Sequence, residues 1–340
     1  MLSGEIIMDR HLLLILAYIM LCELLCFSSN NHAEEGKWTG KSDMPTARAW
    51  VSGNEVNRKI YAIGGFYAGV LLTAEEYDPV ADKWVRKADM PTARASLATA
   101  VANGKIYAIG GVDMNNNIFS TVEEYDPIAD KWTKKANMLT PRCGLSACYI
   151  NGKIYTIGGL NNDGILSAVE EYDPISDKWK KKNSIPEAIE DASISVVNGK
   201  AYVIGGMDNN FSSFSTVWKY DPDKDDWKRR ADMPTQRYAL STSTVDGQIY
   251  AIGGWDNPAI LADVERYDPI TDKWTKKADM PMARMSMLIA VVNDKIYVIG
   301  GADKSGACIS TVEEYDPLAG ERVEIRGKLA ISWGEVKSKQ

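Results

Sequence analysis

From Lys37 onward, short β-rich runs recur along the chain, each closed by a glycine pair: KIYAIGG, KIYAIGG, KIYTIGG, KAYVIGG, QIYAIGG and KIYVIGG. The second unit, read in full, shows which elements the pattern predicts. Ala95–Ala102 predicts a first strand that turns back at Asn103-Gly104, a tight-hairpin signal. Lys105–Ile109 predicts a second strand, ending in Gly110-Gly111, where the backbone needs freedom or close approach. Thr121–Tyr125 predicts a third. Asp126-Pro127 then opens a turn with one φ preset by proline, and Trp132–Lys135 predicts a fourth strand.

The unit repeats. Gly-Gly pairs begin at Gly64, Gly110, Gly158, Gly205, Gly253 and Gly300, at spacings of 46, 48, 47, 48 and 47. A Tyr-Asp-Pro follows each, starting at Tyr77, Tyr125, Tyr172, Tyr220, Tyr267 and Tyr315. Seven residues past the first five tyrosines stand Trp84, Trp132, Trp179, Trp227 and Trp274. A period of this length with four strands per unit is that of a β-propeller blade. Over roughly residues 37–318 the chain resembles the Kelch-repeat family. The resemblance implies an all-β, six-bladed Kelch-type β-propeller and, commonly in that family, a binding role. The regular Tyr and Trp residues are large flat fillers between blades rather than a cofactor box.

The sixth repeat has Arg322 where its Trp should be. Trp38, followed six residues later by Met44-Pro45, matches Trp84 with Met90-Pro91 and Trp274 with Met280-Pro281. The N-terminal segment is therefore expected to supply the outer strand of the last blade and to close the ring.

With strands labelled A to D from the first to the fourth of each unit, the A–B and C–D turns share one face and the B–C and D–A connections the other. The former are short and uniform. The B–C loops vary: FYAGVLLT, VDMNNNIFST, LNNDGILS, MDNNFSSFST, WDNPAILA and ADKSGACIST. Variable loops on a rigid scaffold are where binding concentrates. The B–C/D–A face is thus the expected binding face, with Tyr67, Phe211 and Trp255 as aromatic anchors. Asp113, Asn161, Asp208, Asp256 and Asp303 begin most of these loops. They form either a ring of cation-seeking groups or, as favoured here, loop residues that bond their own backbone. The YDPxxD pattern lacks the ligand count and glycine placement of a calcium loop, so no metal site is expected.

Five D–A connections carry an arginine at one position: Arg48, Arg94, Arg142, Arg237 and Arg284. In Kelch domains that hold acidic peptides, arginines at matching positions contact ligand. Five third strands carry Glu75, Glu123, Glu170, Glu265 and Glu313, two residues before the tyrosine. The fourth repeat has Ile189 and Trp218 at these two positions. Joint loss of both charges favours structural pairs over a free arginine ring. Losing one partner of a buried pair costs about 3–5 kcal/mol, whereas replacing both by apolar groups can be neutral. The pairs expected are Arg48–Glu75, Arg94–Glu123, Arg142–Glu170, Arg237–Glu265 and Arg284–Glu313, with Ile189 against Trp218.

Composition narrows the chemistry. The 340 residues carry a net charge of −7 and only 2 His, both before residue 34. Leu12–Leu21 is wholly apolar and the apolar stretch reaches Phe27 with Glu23 inside it, short for a membrane span of ~20 residues. Residues 1–33 are expected to be a secretory signal peptide, with an uncleaved anchor as the alternative, which places the protein outside the cell or in the periplasm. The remaining net charge of −5 (38 basic against 43 acidic residues) gives no footprint for nucleic acid.

A chain without histidine after the signal cannot supply the ligands of the copper-radical oxidases built on Kelch-type propellers, nor a histidine base. A metal-independent sugar mutarotase, resembling the exported sialic-acid epimerases of this fold, needs neither. Glu187, Glu190 and Asp191 cluster in the atypical fourth repeat. Cys143, Cys148 and Cys308 are expected as free thiols. The first two are read as lying on one strand, five residues or ~16 Å apart, beyond disulfide reach. The resulting expectation is an exported, monomeric binding scaffold without cofactor, recognising a protein or glycan. Residues 34–318 form the propeller, and 319–340 break the repeat.

Overall fold

The computed structural model describes residues 36–319. The expected signal peptide and almost all of the C-terminal tail lie outside the described residues. The unit Lys37–Pro317 contains six four-stranded antiparallel sheets and two two-stranded loop hairpins. The second blade comprises Ala98–Ala102, Lys105–Ile109, Val122–Asp126 and Lys131–Lys135. The sixth is made from both ends of the unit: Leu288–Val292, Lys295–Ile299 and Val312–Asp316 are completed by Lys37–Lys41, with Trp38 directly opposite Tyr315.

Three series of contacts hold the blades together, and each runs across the seam between first and last blades without a change of chemistry. Each strand-B tyrosine meets the strand-C tyrosine of the next blade. Centroid separations run from 5.8 Å for Tyr107–Tyr172 to 6.2 Å for Tyr250–Tyr315, with Tyr77–Tyr297 at 6.1 Å across the seam. Farther out, each outer-strand tryptophan donates its indole N–H to a carbonyl at the end of the preceding blade's outer strand. Trp132 reaches Ala88 at 2.8 Å, Trp84 reaches Ser42 at 3.0 Å and Trp38 reaches Ala278 at 3.2 Å. Aromatic pairs of this kind add about 0.5–1.5 kcal/mol beyond area burial.

The third series circles the channel. The backbone N–H of Ser96 bonds the carbonyl of Trp50, Gly144 that of Ser96, Asp191 that of Gly144, Ala239 that of Asp191, Ser286 that of Ala239, and Trp50 that of Ser286, at 2.8–3.2 Å. All six residues have φ between +48° and +60°, and only one is glycine. A left-handed conformation is unfavourable for a residue with a Cβ, so the closed ring of bonds stabilises what local preference opposes. The turn also shortens the first strand. Ladder pairing in blade two starts at Ala98 rather than Ala95, because Ser96 redirects the chain. For the same reason Cys143 stands outside strand Ser146–Ile150, separated from it by Gly144 with φ +60°, and bridges Leu160 instead. Cys143, Cys148 and Cys308 are free thiols.

Candidate site at the channel mouth

The five repeated arginines are fully buried. Arg94 Nη2 lies 2.7 Å from Glu123, Arg142 3.1 Å from Glu170, and Arg237 and Arg284 each 2.6 Å from Glu265 and Glu313; Arg48 pairs with Glu75. Each Nη1 also donates to two backbone carbonyls that flank the B–C loop, as Arg94 does to Gly110 at 2.7 Å and Thr121 at 3.0 Å. The guanidinium thus pins the base of its loop. Burial pulls its pKa down, and the neighbouring glutamate opposes this. None of the five is available to a ligand in the channel.

Blade four keeps the contact with its chemistry inverted. Ile189 packs in one apolar cluster with Ile185 and Trp218. In blades one, two and five a threonine two residues before the arginine donates to the glutamate, as Thr92 does to Glu123 at 2.8 Å. Here Glu187 takes the threonine's place and accepts from the Trp218 indole N–H. Glu187 is thereby explained as a structural partner, which leaves Glu190 and Asp191.

The B–C loop residues separate into distinct groups. Asp113 accepts amides of Asn115 (2.8 Å) and Asn117 (2.9 Å), Asp208 those of Asn210 and Ser212, and Asp303 those of Ser305 and Ala307. Their carboxyls lie below the usual range because of these bonds within each loop. Asn161 accepts from Asp163 N, and Asp256 accepts from the Gln236 amide at 3.1 Å. Tyr67 and Phe211 are 52% and 71% exposed. Trp255 is not a comparable anchor: it is partly buried, its ring 5.4 Å from that of Tyr238, because the Tyr238–Trp255 backbone bridge draws it inward.

The channel encloses about 220 Å³, lined by Trp50, Ser96, Gly144, Asp191, Ala239 and Ser286 and the strands that follow them. The residues just before this ring are Ala49, Ala95, Cys143, Glu190, Tyr238 and Met285. Of these twelve positions only Glu190 and Asp191 carry charge. Both are partly buried, and neither has an ion-pair partner among the described residues. Gly144 makes room for them. A Cβ there would lie 2.8 Å from Glu190 Oε1 and 3.1 Å from Asp191 Oδ1. Burial, with the charge of Asp191, pushes the Glu190 carboxyl up to about 8, and burial pushes Asp191 to about 6. Tyr238, 9% exposed, has its pKa raised by burial and by both carboxylates. Cys143 is pushed up to about 12, mainly by burial, and is an inert thiol. The sequence marks Glu190 and Asp191 only as a cluster. It gives no signal for Tyr238, which stands where the other repeats have Ala, Cys, Glu or Met.

The architecture is that of a propeller whose repeated arginines and glutamates are paired within the blades around a central channel. Family profiles agree with it. The Kelch motif matches residues 51–91, 93–139 and 141–186, and the KLHDC2/KLHL20/DRC7 Kelch-repeats domain matches residues 186–321. The chain belongs to the Kelch-repeat β-propeller family. A solved structure titled "Structure of YjhT" is similar in fold at 18% sequence identity, covering 80% of this chain and 95% of that one with a TM-score of 0.70. No curated protein sequence matches the chain.

Proposed function

We propose that the protein is an exported binding module that recognises a protein or glycan through its B–C/D–A face. The observation that carries this reading is the division of labour between residues. The repeated charges and aromatics are consumed in packing, whereas the loops that differ from blade to blade expose Tyr67, Met114 and Phe211 at 52%, 60% and 71%. Exposed aromatics on a rigid frame supply contact area at low entropic cost. Export rests on the apolar segment Leu12–Leu21. The opposite face exposes Val80, Ile128, Ile175 and Ile270 singly on equivalent C–D turns, an arrangement that needs no partner to explain it.

The test compares faces. Partner capture from the exported fraction, together with glycan-array binding, is expected to fall at least tenfold in Tyr67→Ala/Phe211→Ala and to persist in Ile128→Ala/Ile175→Ala. The reverse pattern overturns the assignment. A sialic-acid mutarotation assay on the same preparations tests the enzymatic alternative. All five repeated arginines are committed to glutamates, which leaves none of them free to serve a sugar in the mutarotase alternative and favours the binding reading.

A further inference from the structure

Blade four departs from the other blades at a second place, on the flank near its C–D turn. In blades one, two, three and six the strand-B tyrosine donates to a strand-C glutamate directly opposite it: Tyr61 to Glu76 at 2.7 Å, Tyr107 to Glu124, Tyr155 to Glu171 at 3.0 Å and Tyr297 to Glu314 at 2.6 Å. A lysine at the far end of the outer strand pairs with the same carboxylate, as Lys41 does with Glu314 at 3.1 Å and Lys87 with Glu76 at 3.6 Å. Blade four keeps the tyrosine, Tyr202, but places Lys219 opposite it. Lys219 is half-buried and in turn stands directly opposite Lys228 of the outer strand. Like charges so placed repel. In blade three the same two positions hold Glu171 and Lys180, paired at 2.8 Å. Neither Lys219 nor Lys228 has an ion-pair partner among the described residues. The ammonium of Lys219 lies over the Tyr202 ring, 5.8 Å from its centroid. A second observation comes from the tyrosine. Tyr202 is 3% exposed, and its hydroxyl, unlike the other four, donates to no acceptor among the described residues. Blade five makes the same replacement with Arg266, which is half-buried and forms no hydrogen bond or ion pair among the described residues.

We infer that this flank of blade four receives a glutamate or aspartate side chain from an acidic segment of a partner protein, seated where four other blades hold their own glutamate. Those blades supply the template: one carboxylate accepts from the tyrosine hydroxyl and pairs with a lysine. Blade four keeps the tyrosine donor, adds two opposed ammonium groups and lacks the acceptor. A carboxylate has acceptor capacity on both oxygens, so it can take the Tyr202 hydroxyl and an ammonium together, and such charge-assisted bonds are the strong ones. There is room beside the pair. A cavity of about 180 Å³ is lined by Lys219, Asp221, Lys224, Asp226 and Lys228. Asp221 is held by Lys200 at 2.6 Å, so three lysines face one uncommitted carboxylate, that of the exposed Asp226. Lys224 and Lys228 can serve a second acid of the same segment. The flank is set apart from the B–C loops, so the inference does not depend on the reading of the loop face.

The experiment titrates the full chain with hexaglutamate peptide at neutral pH and low ionic strength, by calorimetry. Binding to the wild type is expected, and it should weaken as sodium chloride is added. Lys219→Glu/Lys228→Thr copies the Glu124 and Thr133 pair of blade two. It is expected to weaken binding at least tenfold and to raise Tm, because the new carboxylate gives Tyr202 an acceptor and the opposed lysines are gone. Lys219→Arg/Lys228→Arg should retain binding, Tyr202→Phe should weaken it severalfold, and Asp226→Asn, which removes the competing carboxylate, should tighten it. Lys131→Thr/Lys134→Thr, at exposed lysines of blade two, should leave it unchanged, as should Tyr67→Ala/Phe211→Ala on the loop face. Absence of binding to the wild type overturns the inference, as does unchanged binding in Lys219→Glu/Lys228→Thr. An equal loss in the blade-two variant would assign the binding to diffuse surface charge and overturn it too. Tighter binding of hexagalacturonate than of hexaglutamate would overturn the choice of a protein partner in favour of an acidic glycan.

Discussion

At the scale of single residues, the same charge has opposite consequences in different surroundings. Glu123 is buried beside Arg94 and also accepts from Thr92. Glu123→Ala strands a guanidinium that no water reaches. It is expected to cost about 3–5 kcal/mol in urea unfolding, where an exposed pair would cost about 0–1 kcal/mol. Blade four shows how both charges can be dispensed with. Thr92→Glu/Arg94→Ile/Glu123→Trp, which copies Glu187, Ile189 and Trp218, is expected to be more stable than Glu123→Ala. A triple variant at or below the single one would show that the exchange depends on the rest of blade four. Glu190 and Asp191 act in the reverse direction. Their folded-state pKa values, about 8 and about 6, lie above ordinary carboxylate values, so the folded state holds these protons more tightly. Their contribution is fully favourable below about pH 4 and is lost as pH rises through about 6 and then about 8. Glu190→Gln/Asp191→Asn is therefore expected to exceed the wild type in stability by about 1–3 kcal/mol at pH 8.5, a figure reduced for partial solvent access. The difference should vanish near pH 4. Equal stability at both pH values would show the pair to be fully solvated.

At the scale of strands and loops, the repeat made most of the architecture readable. Gly-Gly, Tyr-Asp-Pro and Trp each mark a place where geometry permits few substitutes. At Gly110 a Cβ would sit 2.4 Å from the Arg142 carbonyl oxygen. What stayed hidden was the ring of left-handed residues at the channel, because Trp50, Ser96, Asp191, Ala239 and Ser286 carry side chains that give no hint of positive φ. Missing that turn is also what placed Cys143 on a strand. The partial burial of Trp255 and the place of Tyr238 carry no signal in the sequence for one reason: their ring contact joins two segments that no periodicity links. The outer strands show a device that composition alone disguises in a chain of net negative charge. They read KWVR, KWTKK, KWKKK, DWKR, KWTKK and KWTGK. Lysines on exposed edges oppose pairing with another chain's edge. Replacing Lys178, Lys180 and Lys181 together by Thr is expected to leave the fold intact and to produce concentration-dependent association in light scattering. A variant that stays monomeric at high concentration would assign the lysines to another role.

At the scale of the whole molecule, stability depends on the ring being closed. Inner strands, tyrosine pairs and tryptophan bonds all continue across the junction where Lys37–Lys41 lies against Val312–Asp316. That junction is non-covalent, and its outer strand is short. Without the strand, blade six loses the partner of Tyr315, whose ring stacks on Trp38 at a centroid separation of 4.7 Å, and exposes a row of unpaired backbone groups. It also loses the Arg48–Glu75 pair if the cut extends into the following connection, so the deletion should stop at Lys41. A variant lacking residues up to Lys41 is expected to unfold at a Tm lower by more than about 5 °C, with a broader transition as blades one and six separate from the remainder. A synthetic peptide spanning residues 36–41 can pair with the vacant edge as a sixth outer strand. At millimolar concentration it should restore part of the lost Tm, and the same peptide with Trp38→Ala should not, since it keeps the backbone ladder but lacks the stack and the bond to Ala278. Unchanged stability after the deletion would mean that five complete blades hold the ring without its closing strand. Equal rescue by both peptides would assign the closure to the backbone ladder alone.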